Sequence, residues 1–182
     1  MAKMIVVNEQ RCLGCKTCVL ECAMAHSDAK TLIEALNAAS PPQPRVHVEP
    51  AGQFGIPIQC RHCEDAPCVM VCPTEAIHRP AEHSPVLIDP QRCIGCKFCL
   101  LVCPFGVIDL TRDGKATVKC DLCIERIQAG EQPACVAGCP TKALEFCEVD
   151  DWLRRRRRAT AEKVAAAGDK AARIASEADN ER

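Results

Sequence analysis

Closely spaced cysteines constrain this chain more than any other feature of its sequence. The stretch from Cys93 to Pro104 contains three cysteines at three-residue spacing and a fourth, Cys103, directly before the proline. Such a loop can aim three sulfurs at one compact metal group while the fourth sulfur reaches a neighbouring group, a spacing typical of [4Fe–4S] clusters. Gly95 relieves crowding where the backbone wraps the group. The stretch therefore predicts a [4Fe–4S] site.

The cysteine pattern recurs three more times along the chain, which indicates an internal repeat. The first and third runs share the letters Gln-Arg-Cys and the same spacing, whereas the second and fourth have a longer central gap and end in Cys-Pro-Thr. The first run departs in one place, where Ala23 replaces the proline. The four quartets are Cys12, Cys15, Cys18 and Cys22; Cys60, Cys63, Cys68 and Cys72; Cys93, Cys96, Cys99 and Cys103; and Cys120, Cys123, Cys135 and Cys139.

The quartets predict how the ligands are shared among four clusters. In two-cluster ferredoxins the fourth cysteine of each run ligates the other cluster. The second and third runs are sequence neighbours, so we expect them to exchange their fourth cysteines, and the outer two runs then pair by elimination. The predicted ligand sets are Cys12, Cys15, Cys18 and Cys139 for cluster 1; Cys22, Cys120, Cys123 and Cys135 for cluster 2; Cys60, Cys63, Cys68 and Cys103 for cluster 3; and Cys72, Cys93, Cys96 and Cys99 for cluster 4.

This alternation of loop types predicts an α+β fold, a duplicated bacterial-ferredoxin-like fold with two pseudo-symmetric dicluster lobes. Lobe one comprises residues 1–59 with 106–149, and lobe two comprises residues 60–105. The chain has 17 cysteines but only one tryptophan, four phenylalanines and no tyrosine. Large side chains normally fill much of a protein core. We therefore expect the clusters to replace much of it.

Residues 23–59 form an insertion that is expected to pack over the first cluster pair. Ser27 and Asp28 can cap a helix that extends to Asn37, with Leu32, Ile33 and Leu36 on one face. The alternating segment 45–49 predicts a strand.

The sequence of residues 150–182 is rich in arginine and alanine, and it predicts an extended C-terminal helix. A narrow apolar seam recurs at steps of three and four residues, at Val164, Ala167, Ala171, Ile174 and Ala178. We expect this helix to dock on a partner surface, and further copies of this chain are one candidate, with the run 154–158 meeting acidic surface. A solvated tail is the alternative.

Composition narrows the possible settings and functions. An odd number of cysteines without a secretory signal argues against a disulfide framework and favours a reducing, cytoplasmic location. No segment approaches the roughly 20 apolar residues of a membrane span. The arginine run lacks the interleaved aromatic residues or binding fold of a nucleic-acid site, so no nucleic-acid partner is expected.

Zinc chemistry is the main alternative to iron–sulfur clusters. A zinc-binding interaction module is the alternative function, although zinc sites usually separate paired cysteines by a longer finger. A catalytic iron–sulfur enzyme would lack one cysteine ligand, and no quartet does. Cys147, outside the quartets, is expected to be a small buried hydrophobe. Basic residues beside the ligands either offset cluster charge or are ordinary solvated charges: Arg11, Lys16, Arg61, Arg92, Lys97 and Lys119.

The four-run layout resembles a known family, the four-cluster polyferredoxin electron-transfer subunits. The resemblance covers residues 4 to about 147 and is carried by the cysteine runs, by Cys-Arg-His-Cys-Glu-Asp-Ala-Pro-Cys at 60–68 and by Lys-Cys-Asp-Leu-Cys at 119–123. Family members serve dimethyl sulfoxide reductases, formate dehydrogenases and hydrogenlyase, carbon monoxide dehydrogenase and tungsten aldehyde oxidoreductases. The resemblance implies the same crossed ligation in a non-catalytic subunit.

The resemblance also implies partners. The chain would relay single electrons between a catalytic subunit and another redox partner, and it could do so as an oligomeric wire. The catalytic subunit would be of the tungsten aldehyde oxidoreductase, carbon monoxide dehydrogenase or formate dehydrogenase type. It would therefore be a tungsten or molybdenum pterin enzyme, or carbon monoxide dehydrogenase.

Overall fold

The computed structural model describes the backbone of residues 3–180 and the side chains of residues 3–168. The chain divides into two compact units. The larger unit spans Met4–Phe146, and the smaller contains Lys3 and the segment from Cys147 onward. All four cysteine quartets lie in the larger unit.

The elements of the larger unit are short because the cysteine loops occupy most of the chain between them. Four two-stranded sheets pair β1 with β8, β2 with β3, β4 with β5, and β6 with β7. The last three pairs are antiparallel. The strands are β1 (Lys3–Val7), β2 (Val46–Ala51), β3 (Phe54–Gln59), β4 (Ile77–His78), β5 (Leu87–Ile88), β6 (Asp109–Leu110), β7 (Thr117–Val118) and β8 (Leu144–Glu148). The helices are α1 (Thr17–Ala25), α2 (Leu32–Asn37), α3 (Pro67–Met70), α4 (Phe98–Val102), α5 (Ile124–Gln128) and α6 (Ala134–Ala137), and Glu9–Arg11 forms a 3₁₀ turn.

Equivalent cysteine loops have matching backbone conformations. A left-handed residue follows the second cysteine of the first and third quartets, at Lys16 (φ 60°) and Lys97 (φ 68°), and α1 and α4 begin directly after them. A left-handed residue precedes the second cysteine of the second and fourth quartets, at His62 (φ 49°) and Leu122 (φ 63°). Non-glycine residues rarely adopt this conformation. Its recurrence at matched positions follows the two loop types of the sequence repeat.

The larger unit contains two separate clusters of buried apolar side chains. The first joins the chain ends of the unit, with Ile5 and Leu144 packed around cysteines of the first and fourth quartets. The second contains Ile77, Val86 and Ile108, packed around cysteines of the second and third quartets. Ile108 thus packs with the second cluster, although the sequence-based boundary at residue 105 assigns it to lobe one.

The insertion contains a helix and a hairpin, and the helix differs from its prediction. Strands β2 and β3 form the hairpin, which confirms a strand at 45–49 and extends it. The helix begins only at Leu32, because Thr31 and Glu34 form a reciprocal capping box at its N-terminus. The prediction of a cap at Ser27 or Asp28 was wrong. The three apolar residues predicted to share one face of this helix are exposed, with Ile33 at 72%, and Ala35 is the buried residue of the helix.

A single long helix, α7 (Val149–Asn180), makes up most of the smaller unit. Trp152 is half-buried near its start, and the Arg156 guanidinium lies 5.9 Å from its ring centre. Val164 and Ala167 of the predicted seam are exposed. The side chains of the other seam residues, Ala171, Ile174 and Ala178, lie outside the described residues. No helix in the described part of the chain is both long and apolar enough to span a membrane.

Candidate metal centres

The sixteen cysteines of the quartets group in space rather than pairing as disulfides. Burial is uneven, since Cys15 and Cys96, at equivalent positions of the first and third quartets, are exposed. The fourth quartet is buried throughout, at Cys120, Cys123, Cys135 and Cys139. Cys147, predicted to be buried, is half-buried instead and lies in the smaller unit.

The structure brings the last cysteine of the fourth quartet to the first quartet. Cys18 lies within electrostatic range of Cys12, Cys15 and Cys139. Burial, more than these neighbours, raises the pKa of the Cys18 thiol to about 11. Helices α1 and α6 pack together and position the two runs. These four thiols are the set that the sequence assigns to cluster 1.

The reciprocal group combines Cys22 with the rest of the fourth quartet. The Cys135 thiol interacts electrostatically with Cys120, Cys22 and Cys123, and burial together with these neighbours raises its pKa. Burial raises the pKa of Cys120 to about 12. Free thiolates are therefore disfavoured in this group, and a bound metal would have to compensate the charge of the four sulfurs.

Two cavities of the larger unit are lined by the remaining eight quartet cysteines. One cavity is walled by Ala66, Val86 and Ile108, and it is lined by Cys60, Cys63, Cys68 and Cys103. The other is walled by Ile77, Ile94 and Thr117, and it is lined by Cys72, Cys93, Cys96 and Cys99. Each cavity thus receives the fourth cysteine of the other run, in the sets that the sequence assigns to clusters 3 and 4.

Backbone N–H groups point at several of these sulfurs. His62 and Leu122 donate to the sulfur two residues earlier, Cys60 Sγ and Cys120 Sγ respectively, both at 3.4 Å. Two further donors come from elsewhere, Arg45 N–H to Cys22 Sγ and Ala143 N–H to Cys139 Sγ, each at 3.2 Å. Such hydrogen bonds stabilise the negative charge of a thiolate and help to set the reduction potential of an iron–sulfur cluster. Four inward thiols with N–H donors fit a [4Fe–4S] cluster.

Threonine hydroxyls form a second set of sulfur neighbours, which the sequence reasoning did not identify. The Thr17 Oγ1 lies 3.3 Å from Cys15 Sγ, and the Thr117 Oγ1 lies 3.7 Å from Cys93 Sγ. Equivalent contacts of 3.8 Å occur at Cys72–Thr74 and Cys139–Thr141. The repeated Cys-Pro-Thr ending of the second and fourth runs was the available signal for the last two.

An ionic network links the buried fourth quartet to residues of the insertion. His26 donates from Nδ1 to the carbonyl oxygen of Cys22 at 2.8 Å and from Nε2 to the Asp121 carboxylate at 3.0 Å. The same carboxylate pairs with Arg45 and accepts the backbone N–H of Cys123. Burial alone would raise the pKa of Asp121, but His26 and Arg45 outweigh it and hold the pKa well below its usual range. The network therefore stays ionised at neutral pH.

Of the six basic residues that adjoin predicted ligands, one is buried and five are exposed. Lys119 is only 4% exposed, whereas the other five side chains are exposed, namely Arg11, Lys16, Arg61, Arg92 and Lys97. A further arginine was missed at the sequence level. Arg79 donates to the carbonyl oxygens of His62 and Cys63, at 3.1 and 2.6 Å, and so supports the loop of the second quartet.

Four cysteine quartets with crossed neighbours define the class of iron–sulfur proteins, and comparisons with known proteins identify the family. Residues 53–149 match the family described as 4Fe-4S dicluster domain. The chain is 41% identical to an iron–sulfur protein of Rhodospirillum rubrum, over 88% of this chain and 90% of that one. It is 38% identical to the thiosulfate reductase electron transfer subunit PhsB of Salmonella typhi, over 79% of this chain and 74% of that one. It is 33% identical to one of the chains of the anaerobic dimethyl sulfoxide reductase of Escherichia coli, over 82% of this chain and 75% of that one.

The chain therefore belongs to the 4Fe-4S dicluster family of polyferredoxin electron-transfer subunits. The prediction of [4Fe–4S] cofactors is confirmed, and the four quartets correspond to four clusters. The protein transfers electrons and is not a catalytic subunit, which was also predicted.

Proposed function

We propose that this chain is the electron relay of an oxidoreductase complex, with each of the four cysteine groups holding one cluster. The ligands are those of the crossed assignment, with Cys139 completing cluster 1, Cys22 cluster 2, Cys103 cluster 3 and Cys72 cluster 4. When bound, the clusters supply reversible one-electron exchange without a free coordination site for substrate. The chain fixes their spacing, screens them from water and donates hydrogen bonds to their sulfurs.

The continuity of the four groups is the observation that carries this proposal. Cys18 and Cys135 interact across the first and second groups, and Cys60 and Cys120 interact across the second and third. The third and fourth groups share one cluster of packed side chains. A path of neighbouring groups therefore leads from exposed Cys15 to exposed Cys96. Both ends lie at the surface, where redox partners can approach.

The same observations support a duplicated ferredoxin-like fold. Two side-chain clusters, each built around two quartets, correspond to two dicluster lobes. The matched left-handed residues in equivalent loops support a common origin of the two halves. We place the lobe boundary a few residues beyond 105, because Val107 and Ile108 line the cavity of the third group.

The partner is a catalytic oxidoreductase subunit. One relative is named as the electron transfer subunit of a thiosulfate reductase and another as a chain of a dimethyl sulfoxide reductase, which supports a subunit of this kind. We favour a tungsten or molybdenum pterin enzyme, of the aldehyde oxidoreductase or formate dehydrogenase type, or carbon monoxide dehydrogenase. Sixteen cysteines that group as cluster ligands rather than as disulfides suit the reducing cytoplasm.

Anaerobic purification from the native source tests this function. We expect about 16 iron atoms per chain, from four per cluster, and a co-purifying subunit that contains tungsten, molybdenum or nickel. The isolated, cluster-loaded chain should accept electrons from a chemical reductant but turn over no substrate of the complex. Stoichiometric zinc with little iron would contradict the proposal and favour the zinc module, and turnover by the isolated chain would contradict a pure relay.

The C-terminal helix is proposed to assemble the complex, including further copies of this chain. Side chains in the described part of α7 are largely exposed, and the arginines at 154–158 add positive charge to them. A contact between the helix of one copy and another surface of the next would be heterologous and could join copies into a chain.

Truncation after Asp150 is expected to lower the particle mass to that of a smaller assembly while the iron content per chain stays unchanged. Multi-angle light scattering with iron analysis measures both quantities. Replacing Arg112, an exposed arginine of the larger unit, by alanine provides the control and should alter neither. An unchanged mass after truncation would favour the solvated tail.

A further inference from the structure

Lys119 is the only charged residue among the buried side chains in the described part of the protein. Its ammonium donates to the carbonyl oxygen of Val86 and, at 3.0 Å, to the carbonyl oxygen of Cys120. No ion pair in the described part of the chain joins it to a carboxylate. A buried ammonium without a counter-charge costs several kcal/mol in proteins. Negative charge close to the Lys119 ammonium would therefore lower the cost of burying it.

The negative charge available there is that of the cysteine groups on either side of the lysine. Cys120, the next residue, belongs to the second group, and its thiol interacts electrostatically with Cys60 of the third. Val86, whose carbonyl oxygen accepts the hydrogen bond of the lysine, lines the cavity of the third group. The lysine thus lies at the junction between the groups assigned to clusters 2 and 3.

His62 lies beside Val86, which accepts the hydrogen bond of the lysine. Its Nδ1 accepts the backbone N–H of Val86 at 3.0 Å, so a neutral ring carries its hydrogen on Nε2. That Nε2 is buried without a partner among the described residues, and the ring lines the cavity of the third group.

Other charges within reach of His62 are already engaged elsewhere. The Asp121 carboxylate is shared by His26 and Arg45, and Arg79 is bound to three backbone carbonyl oxygens. Lys119 and Arg79 both donate to backbone carbonyl oxygens and to no carboxylate in the described structure, but of the two only Lys119 is buried.

We propose that Lys119 is a positioning residue for electron transfer that stabilises the reduced state at the junction of clusters 2 and 3, most strongly at cluster 3. The inference rests on the ligand assignment proposed above. Reduction of a cluster by one electron from its neighbour adds one negative charge, and the ammonium held at the junction offsets part of that charge. Interactions of this kind are little screened in the interior of a protein. The lysine therefore raises the reduction potential at the centre of the relay.

Two exposed lysines provide matched controls. Lys16 and Lys97 also adjoin predicted ligands, Cys15 and Cys96, but their side chains are exposed. Water and salt screen such charges strongly. Removing the lysine charge should therefore lower the cluster reduction potential at Lys119 and leave it unchanged at Lys97.

The test compares Lys119→Met, Lys119→Arg and Lys97→Met in the cluster-loaded full chain. Redox titration followed by electron paramagnetic resonance gives the potential of each cluster, and iron analysis gives its occupancy. In Lys119→Met the ratio of reduced to oxidised cluster 3 at a fixed applied potential should fall at least about tenfold, equivalent to a negative shift of about 59 mV for one electron. Lys119→Arg should remain near the parent value, and Lys97→Met should not shift.

Full iron content with unshifted cluster potentials in Lys119→Met would overturn the proposal. Loss of iron in Lys119→Met that Lys119→Arg restores would support charge compensation, whereas equal loss in both would overturn it, because shape rather than charge would then be required. The iron content of the unsubstituted chain separates this inference from the proposed function, since a value well below about 16 iron atoms per chain would count against the four-cluster relay and not against the role of Lys119.

Discussion

Removing the clusters is expected to unfold most of the Met4–Phe146 unit. Seven of the 21 buried apolar residues in the described part of the chain are cysteines, all of them from the quartets. Without metal their thiols would face one another around cavities instead of contacting a common group. Where metal ligands form the core of a domain, the free energy of metal binding is largely the free energy of folding.

Little other structure would hold this unit together. Three of its four sheets pair in the antiparallel manner, and two of these contain strands of only two residues each. The second side-chain cluster has only five buried members, one of which is Cys99. A core this small cannot offset the conformational entropy of the chain around it.

Hydrogen exchange measured by mass spectrometry, with and without clusters, checks this expectation. After anaerobic chelation in the presence of a thiol reductant, amide protection across residues 4–146 should fall by at least about a hundredfold, or about 2.8 kcal/mol. Tryptophan fluorescence is unsuitable because the single tryptophan, Trp152, lies in the smaller unit. Rebuilding the clusters from iron and sulfide should restore protection. Retained protection in the metal-free chain would show that apolar packing suffices.

The cysteine groups could be predicted from the sequence because ligand spacing is itself the physical constraint. A quartet with three cysteines within seven residues has few ways to direct its sulfurs, so four repeats and one rule of exchange were enough to name four sets. The structure brings together the same sets, including Cys139 with Cys18 across most of the chain. The left-handed residues of the matched loops were not predicted, although they recur at equivalent positions of the same repeats.

The insertion was harder to predict, because it contains no cysteine and therefore no ligand spacing constrains its conformation. Leu32, Ile33 and Leu36 have the spacing of a buried helix face, yet all three are exposed in the structure. The spacing of apolar residues shows which side chains share a face but not whether another element covers it. The start of α2 was set by a stronger local signal, the capping box of Thr31 and Glu34.

The burial of Lys119 could not be read from local sequence. The lysines at 16, 97 and 119 all adjoin predicted ligands, and adjacency to a ligand does not say which of them is buried. The difference arises from a long-range contact, in which the carbonyl oxygen of Val86 accepts a hydrogen bond from Lys119 across 33 residues of chain. Side-chain environments of this kind depend on the tertiary fold.

If the fourth cysteines are exchanged, replacing the fourth cysteine of one run should destabilise the cluster that the other run holds. Cys103→Ser should destabilise cluster 3, because Cys103 lines the cavity of Cys60, Cys63 and Cys68 rather than that of its own run. Cys72→Ser should destabilise cluster 4 for the reciprocal reason. Both cysteines are half-buried and precede proline, so the two variants control for each other in local geometry.

Each variant should lose about four iron atoms per chain, a quarter of the total, and alkylation of cysteines located by mass spectrometry identifies which cluster was lost. In Cys103→Ser the thiols of Cys60, Cys63 and Cys68 should react while those of the third run stay protected. In Cys72→Ser the pattern should reverse, exposing Cys93, Cys96 and Cys99. If each substitution instead exposes the remaining cysteines of its own run, the ligands are not exchanged. Clusters 3 and 4 would then each be held by their own run, and the sharing of ligands could not be what joins neighbouring clusters within this lobe.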